Sequence, residues 1–291
     1  MADASIGEKI RLRFRKTGDL RLVSHHDLMR CAERLFRRAD LPFRVTQGFH
    51  PTPRIVFALS LPLGVAGLNE VVEVELVTPH DPRDVLARLN ATAPPGLEFA
   101  AAKAVPLKAS AVPRRVVYRL AVPDDRAVAE HVDRFLADEK VWVDKLHPRP
   151  RRVNVRPYVR DIQLVSREAE PSADSPPGDA TSRGVEPALG SASRLTHLIF
   201  DLWVTGQGTA RAEELVRLLG LSHVLADGGY LERTELELRD ETPAGQPDEP
   251  PDGPPETAPL DHAAATVAAS GEDDPAGNGP WAMPATGPVV E

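Results

Sequence analysis

The sequence contains a single cysteine and few aromatic residues. Because Cys31 stands alone among 291 residues, the chain can form no internal disulfide and no cysteine-based zinc or iron–sulfur site. No apolar run approaches the ~20 residues that a membrane-spanning helix needs. The N-terminal residues also lack the basic and apolar segments of a signal peptide. These absences predict a cytoplasmic protein with no membrane partner and no cofactor.

The charge of the chain is unevenly distributed. The net charge is −8, yet residues 1–167 contain 29 basic and 20 acidic residues, whereas residues 240–291 contain 11 acidic and no basic ones. A basic body therefore precedes an acidic C-terminal segment. Residues 239–291 and 167–193 are rich in Pro, Gly, Ala, Asp and Glu. Because such segments cannot bury enough apolar surface to fold, they are predicted to be a disordered tail and a disordered insertion.

The first half of the body predicts the element order β-α-β-β-α-β. Near the N-terminus, Ile10, Leu12 and Phe14 alternate with Arg11 and Arg13, which is the period of a strand with one buried face. A helix should follow, with Ser24 as its N-cap, Asp27 three residues on and a stop before Pro42. The remaining predicted elements are strands at 54–61 and 70–77, a helix at 82–89 and a strand at 97–100.

The second half predicts nearly the same order with an irregular middle. Its predicted elements are strands at 116–122, 141–146, 195–204 and 231–238, and helices at 125–138 and 210–219, the latter capped by Thr209. The sequence therefore predicts an α+β protein of two tandem ferredoxin-like (βαββαβ) units. The predicted domains are 8–105, then 114–238 with its insertion at 167–193, then the disordered acidic C-terminal tail at 239–291.

Three motifs carry a family resemblance. RLRFRKTGDLRLVSHHDLMR, GFHPTPRIVFALSLPLG and EVVEVEL resemble the opening of the radical-SAM-linked protein family of unknown function. The resemblance implies association with radical SAM chemistry and, for some members, an RNA-processing context. The family's turn often reads glycine-phenylalanine-asparagine-proline-histidine, whereas this chain has His50 and Thr52 at its third and fifth positions. Lacking the three closely spaced cysteines of a radical SAM cluster, the chain would serve a separate radical SAM protein.

Basic residues on and near the first strand predict a surface for RNA. Arginines on one strand face can bind phosphate oxygens through guanidinium forks. The predicted nucleic-acid-binding residues are Arg11, Arg13, Arg15, Lys16, Arg44 and Arg54. Either tRNA or rRNA would suit such a surface. The alternative is that Glu73 and Glu75, on a neighbouring strand, neutralise these side chains.

The candidate catalytic residues are His25, Asp27 and His50. An imidazole titrates near neutral pH and can serve as a general acid or base. The alternative is that Asp27 only caps the helix and that the histidines pack or hydrogen-bond. No recognised metal-ligand signature occurs, so no metal site is predicted.

Three functional hypotheses remain open. The first is a non-catalytic, RNA-associated accessory module that works with a radical SAM enzyme. The second is a metal-independent enzyme that cleaves or modifies RNA with a histidine. The third is a protein-interaction scaffold.

Overall fold

The computed structural model describes residues 7–49, 51–123, 126–146, 149–167, 195–242, 251 and 253–259. The predicted insertion, apart from Arg167, and most of the predicted tail lie outside the described residues. The described residues divide into two compact units. The larger unit includes those within 1–141 and 155–255, and the smaller unit includes those within 142–154 and 256–291.

Eleven strands and five α-helices form in the described part of the chain. In order they are β1 (Glu8–Lys16), α1 (His25–Arg38), β2 (Ile55–Phe57), β3 (Ala66–Leu76), α2 (Pro82–Thr92), β4 (Leu97–Val105), β5 (Pro113–Val122), α3 (Arg126–Ala137), β6 (Trp142–Lys145), β7 (Arg151–Asn154), β8 (Val159–Arg167), β9 (Leu195–Trp203), α4 (Ala212–Leu218), α5 (Ser222–Ala226), β10 (Glu232–Leu238) and β11 (Thr257–Ala258). Within these residues, no helix is long and apolar enough to cross a membrane.

Eight strands of the larger unit share one mostly antiparallel sheet. The first half of the chain contributes the order β4-β1-β3, with β2 also paired to β3, and the second half contributes β10-β5-β9-β8. The halves meet where β10 runs parallel to β3, with Glu232 opposite Ala66 and Arg233 opposite Gly67. The prediction of an α+β protein is confirmed. The domain boundary between residues 105 and 114 stays a prediction, because both halves contribute to one sheet.

The smaller unit contains a three-stranded antiparallel sheet in the order β11-β7-β6. Val143 of β6 lies opposite Val153 of β7, and Val153 lies opposite Thr257 of β11. The third strand comes from the region predicted as a disordered tail.

The core of the first half follows the predicted alternation. Ile10, Leu12 and Phe14 are buried with residues from α1 and α2, because alternate residues of a strand face the same side of a sheet. Helix α1 begins as predicted, since the Oγ of Ser24 accepts a hydrogen bond from the backbone N–H of Asp27 at 3.2 Å. This bond satisfies one of the free N–H groups of the first turn.

Two predicted details are wrong. Helix α4 has Arg211 as its N-cap, and the hydroxyl of Thr209 donates instead to the carbonyl of Ala210 at 3.2 Å. In the predicted tail, Arg239–Glu241 forms a 3-10 turn and β11 pairs with β7. Disorder is therefore wrong for these five residues; the 3-10 turn is held by ion pairs to β1.

Leu35→Ala tests the helix packing. Leu35 is fully buried, so we expect its truncation to lower the free energy of unfolding by about 2–5 kcal/mol. Met29→Ala on the same helix removes an exposed side chain and should change it by only about 0.5 kcal/mol. Urea unfolding followed by circular dichroism measures both. Equal losses would contradict the packing of α1 on the sheet.

Candidate functional site

A cavity of about 430 Å³ lies where the two halves of the chain meet. Its walls come from the start of α1, the loop between β2 and β3, strands β5 and β10, and the start of α4. The lining residues are Ser24, His25, Leu59, Ser60, Leu61, Pro62, Leu63, Tyr118, Thr209, Ala210, Arg211, Ala212, Glu213 and Arg233. Ligand sites are commonly cavities of ~300–1,000 Å³ with a few placed polar groups, and this cavity has both features.

Arg233, one of the residues that line the cavity, belongs to a buried ion pair. Arg233 of β10 donates from Nε to Oε1 of Glu70 on β3 at 2.7 Å and from Nη2 to Oε2. Both side chains are almost fully buried. Gly67 leaves room for this pair, because a Cβ there would lie 2.5 Å from Cγ of Glu70. Burial alone would lower the pKa of Arg233, but the charge and the hydrogen bonds of Glu70, together with Tyr118, outweigh burial and raise the pKa, so the guanidinium stays charged.

Arg233 uses its full hydrogen-bonding capacity within the protein. Besides Glu70, it donates to the carbonyls of Ser60 (3.2 Å) and Leu59 (3.4 Å) and to the hydroxyl oxygen of Tyr118 (3.4 Å). An arginine has five N–H donors, and these contacts provide five acceptor atoms. Arg233 is therefore a structural residue that leaves no donor for a ligand.

Tyr118 is left with a hydroxyl proton to donate. Its oxygen accepts from Arg233, and no described residue accepts the hydroxyl's own proton. Burial raises the pKa of Tyr118, so the phenol keeps its proton at neutral pH. A phenol that lines a cavity and holds an unused donor is suited to an oxygen acceptor on a ligand.

His25, a predicted candidate, also lines the cavity. Its ring packs edge-on against Phe57, with ring centroids 5.3 Å apart, and its Nδ1 is buried without a hydrogen-bond partner among the described residues. Burial lowers the pKa of His25, and the charges of His26, Lys16 and Arg233 lower it further, while Glu70 opposes them. The imidazole is therefore neutral at neutral pH, so one ring nitrogen carries a proton that it can donate and the other can accept a proton or a hydrogen bond.

Asp27 does not line this cavity. Asp27 is exposed; it accepts a hydrogen bond from the Ser24 hydroxyl at 2.8 Å and lies 3.6 Å from Arg30. This is the geometry of a helix cap, as in the alternative interpretation. His50 lies outside the described residues.

Lys16, a predicted nucleic-acid-binding residue, does not lie on the face of β1 that holds Arg11 and Arg13. It follows Ile10, Leu12 and Phe14 in the same alternation, so it points to the helix side and is fully buried. Its Nζ donates to the carbonyl of Val23 at 2.7 Å. Burial lowers the pKa of Lys16, which Glu70 partly opposes.

The arginines of β1 lie on the opposite face, where carboxylates neutralise most of their charge. The side chain of Arg11 is only 1% exposed and contacts Glu73 and Asp240. Arg13 pairs with Glu241. The face that holds these two residues is covered by Asp240 and Glu241 rather than open, which the sequence does not reveal, and the binding of RNA by Arg11 and Arg13 stays a prediction.

The other predicted arginines are more exposed. Arg44 and Arg54 lie 4.0 and 3.5 Å from Glu75, as the alternative interpretation expects. Arg15 is separate and lies 3.7 Å from Glu98. The six predicted nucleic-acid-binding residues therefore do not form one surface.

Sequence reasoning missed Tyr118, Glu70 and Arg233. One signal was available: Lys16 and Glu70 continue the buried sets of their strands, where apolar residues are expected. Charged side chains at such positions indicate a buried, paired cluster. The pairing of β3 with β10, over 160 residues apart in the sequence, gave no comparable signal.

The chain belongs to the family described as "Uncharacterized protein conserved in bacteria (DUF2344)", whose model matches residues 9–186. That range includes His25, Glu70 and Tyr118, whereas Arg233 lies beyond it. The description names no activity. No curated protein matches the chain significantly.

Two solved structures show weak likeness. One is an unknown protein from Galdieria sulphuraria, at 11% identity and a TM-score of 0.22, covering 80% of this chain and 98% of that one. The other is described as a "putative glycine cleavage system transcriptional repressor", at 10% identity and a TM-score of 0.20, covering 81% and 100%. At these TM-scores neither likeness bears on the fold or function of this chain.

Glu70→Gln should destabilise the junction of the halves. It leaves the Arg233 charge buried without a carboxylate, which typically costs about 3–5 kcal/mol of unfolding free energy. Glu232→Gln is the matched control, because Glu232 forms a partly exposed pair with Arg119 that is worth at most ~1 kcal/mol. Urea unfolding measures the loss of unfolding free energy in both variants. A Glu70→Gln cost no larger than that of the control would contradict a structural role for the pair.

His25 should make stability depend on pH. Its folded pKa lies below the ordinary value of 6.5, so the unfolded state binds the proton more readily. This contribution is fully present above pH 6.5 and is lost as the pH falls below it. Urea unfolding at about pH 7.5 and 5.5 should show a smaller decline in His25→Gln than in the unmodified protein. His26→Gln should retain the decline, and equal declines in all three proteins would refute the buried, neutral imidazole.

Proposed function

We propose that the protein is an RNA-associated accessory module that binds a phosphate-bearing group of its RNA in the cavity between Tyr118 and His25. It would act in the cytoplasm with a separate radical SAM enzyme. The observation that carries the proposal is the pair of unused hydrogen-bonding groups of two residues that line the cavity, the Tyr118 hydroxyl proton and the His25 Nδ1. This Nδ1 donates to a phosphate oxygen when it carries the single ring proton of the neutral imidazole.

The charges around the cavity support an anionic ligand. Lys16 and Arg233 are basic, and Glu70 is the carboxylate that acts on both of them. At the rim, Arg211 is exposed and Glu213 half-buried. Charge-assisted hydrogen bonds to phosphate oxygens are stronger than neutral ones, so a protonated phenol in this setting favours phosphate.

The size of the cavity limits what part of an RNA can enter. A volume of about 430 Å³ suits one nucleotide, not a duplex. Sequence-specific RNA recognition commonly uses loops and ends whose bases are unstacked. A terminal or splayed nucleotide of tRNA or rRNA is therefore the expected occupant.

The proposals of RNA as the ligand and of a radical SAM enzyme as the partner come from the sequence. The basic composition of residues 1–167 favours a polyanion. The partner enzyme rests on the resemblance to the radical-SAM-linked family. With Cys31 as its one cysteine, this chain could not hold the three-cysteine cluster itself.

We infer that each half of the larger unit is a ferredoxin-like domain. In each half the first strand lies between the third and the last, and the second strand pairs with the third. This interleaving suits two βαβ units. In the second half, β6 and β7 would then be an inserted hairpin between α3 and β8.

A second candidate function is RNA cleavage with His25 as the general base. His25 would take the proton of a ribose 2′-hydroxyl, whose oxygen attacks the neighbouring phosphorus. The bond from phosphorus to the 5′-oxygen then breaks, and Tyr118 would protonate the leaving oxygen. The lowered pKa of His25 favours this role. The raised pKa of Tyr118 makes it a poor acid, so binding is the first proposal.

The binding experiment is fluorescence anisotropy with labelled tRNA and rRNA fragments at about 50 and about 200 mM salt. His25→Gln and Tyr118→Phe each remove one hydrogen bond to the phosphate and should weaken binding roughly tenfold. His26→Gln is the matched control, because His26 is adjacent and exposed and does not line the cavity. It should change affinity by less than about twofold.

The outcomes separate the hypotheses. If His25→Gln and Tyr118→Phe bind RNA with the affinity of the unmodified protein, the cavity is refuted as the RNA site. No binding of either RNA at low salt would refute the RNA proposal and favour the protein-interaction scaffold. Cleavage of the labelled RNA in the presence of EDTA, lost in His25→Gln, would establish the second candidate.

A further inference from the structure

A cluster of basic side chains on β1 and β4 holds two carboxylates from the C-terminal side of β10. On one row across the sheet, Lys103 of β4, Arg11 of β1 and Glu73 of β3 lie opposite one another. Arg11 donates a hydrogen bond to each carboxylate oxygen of Asp240, from Nη1 to Oδ1 at 2.9 Å and from Nη2 to Oδ2 at 2.8 Å. Glu241 pairs with Arg13 and Lys103.

The segment that supplies these carboxylates is a short 3-10 turn, Arg239–Glu241, with no buried residue. Its neighbouring contacts are few. The N–H of Arg239 donates to the carbonyl of Val112 at 2.9 Å, and the hydroxyl of Thr242 donates to Glu237 at 2.8 Å. Because no core side chain belongs to the turn, its release would leave the hydrophobic core intact.

Without the turn, most of the positive charge of the basic cluster would have no neighbouring carboxylate. The side chains of the cluster are Lys9, Arg11, Arg13 and Lys103. Among the described strand residues, Glu73 is the carboxylate that contacts them, whereas Glu75 lies opposite Lys9 but pairs with Arg44 and Arg54. Glu73 still holds Arg11, because Nε and Nη2 both lie 2.9 Å from its Oε1. Nη1 of Arg11, which now contacts Asp240 and Glu241, would lose both carboxylates. A cavity of about 110 Å³ already lies between Arg13, Lys103 and Glu241.

The bound carboxylates show what the cluster recognises. A bidentate guanidinium–carboxylate contact has the same fork geometry as a guanidinium–phosphate contact. The two carboxylates are close neighbours, because Nη1 of Arg11 lies 2.9 Å from Oδ1 of Asp240 and 3.3 Å from Oε1 of Glu241. Two neighbouring, singly charged groups on a flexible chain are the features that an RNA backbone shares with Asp240 and Glu241.

We propose that Arg11, Arg13 and Lys103 form a second RNA-binding site, for two consecutive phosphates, and that Asp240 and Glu241 occupy it as a built-in competitor. The inference rests on the proposed function in taking RNA as the ligand, but it concerns the opposite face of the sheet. With an attached competitor, the apparent association constant equals the intrinsic one multiplied by the fraction of molecules in which the site is open.

The test is RNA binding by Asp240→Asn/Glu241→Gln in the full chain. The neutral amides keep the shape of the turn but lose its charge, so single-stranded RNA should bind on the order of tenfold tighter at low salt. The salt dependence should also steepen, because each added phosphate contributes a slope of about −0.7 in log K against log salt.

The matched control removes the same charge elsewhere. Asp84→Asn/Glu130→Gln neutralises two exposed carboxylates on α2 and α3 and raises the net charge equally. A gain no larger than that of this control would overturn the proposal. An equal gain for an acidic peptide of the same charge would also overturn it, because the site would then have no preference for phosphate.

A second variant identifies the cations. Adding Arg13→Gln and Lys103→Gln to Asp240→Asn/Glu241→Gln should abolish the gain; both residues are partly exposed and tolerate replacement better than buried Arg11. A gain that persists would place the RNA elsewhere. The same experiment in a His25→Gln background separates the proposals. A gain there supports this site even where the cavity proposal has failed, whereas no RNA binding in any variant refutes both.

Discussion

The buried ion pair between Glu70 and Arg233 is the contact on which the junction of the two halves depends. The parallel pairing of β3 and β10 extends over only two residue pairs, so few backbone bonds fix its register. A buried ion pair adds little net stability over apolar residues, but a mispaired one is expensive. The pair therefore selects one register, and that register places Tyr118 and His25 around a common cavity.

Local structure was largely predictable, because it depends on neighbours in the sequence. The alternation of β1 and the cap at Ser24 are set within a few residues, and both predictions are confirmed. Errors occur where a side chain had a competing local partner. Thr209 has the chemistry of an N-cap, but its hydroxyl donates to the adjacent Ala210 carbonyl and the helix begins after Arg211.

The candidate site was only partly predictable, because its contacts join distant parts of the chain. From the sequence, His25 could be predicted as a candidate. Lys16 and Glu70 could be noticed as charged residues at strand positions where the alternation predicts buried apolar ones. The sequence could not reveal that Arg233 completes their cluster. The partners of the β1 arginines were likewise unpredictable, because they too are distant in the sequence. The alternation correctly placed Arg11 and Arg13 on one face, but Asp240 and Glu241 reach that face from over 220 residues away.

Strand β1 contributes to both proposed sites through its two faces. Lys16 points to the helix side, toward the cluster beneath the cavity, whereas Arg11 and Arg13 point to the other side. Because alternate side chains lie on opposite faces of a sheet, one phosphate cannot contact both regions. The sites therefore share a strand but no ligand atom, so substitutions in them should have additive effects on affinity. Strong coupling between them would instead require the sheet itself to change conformation when RNA binds.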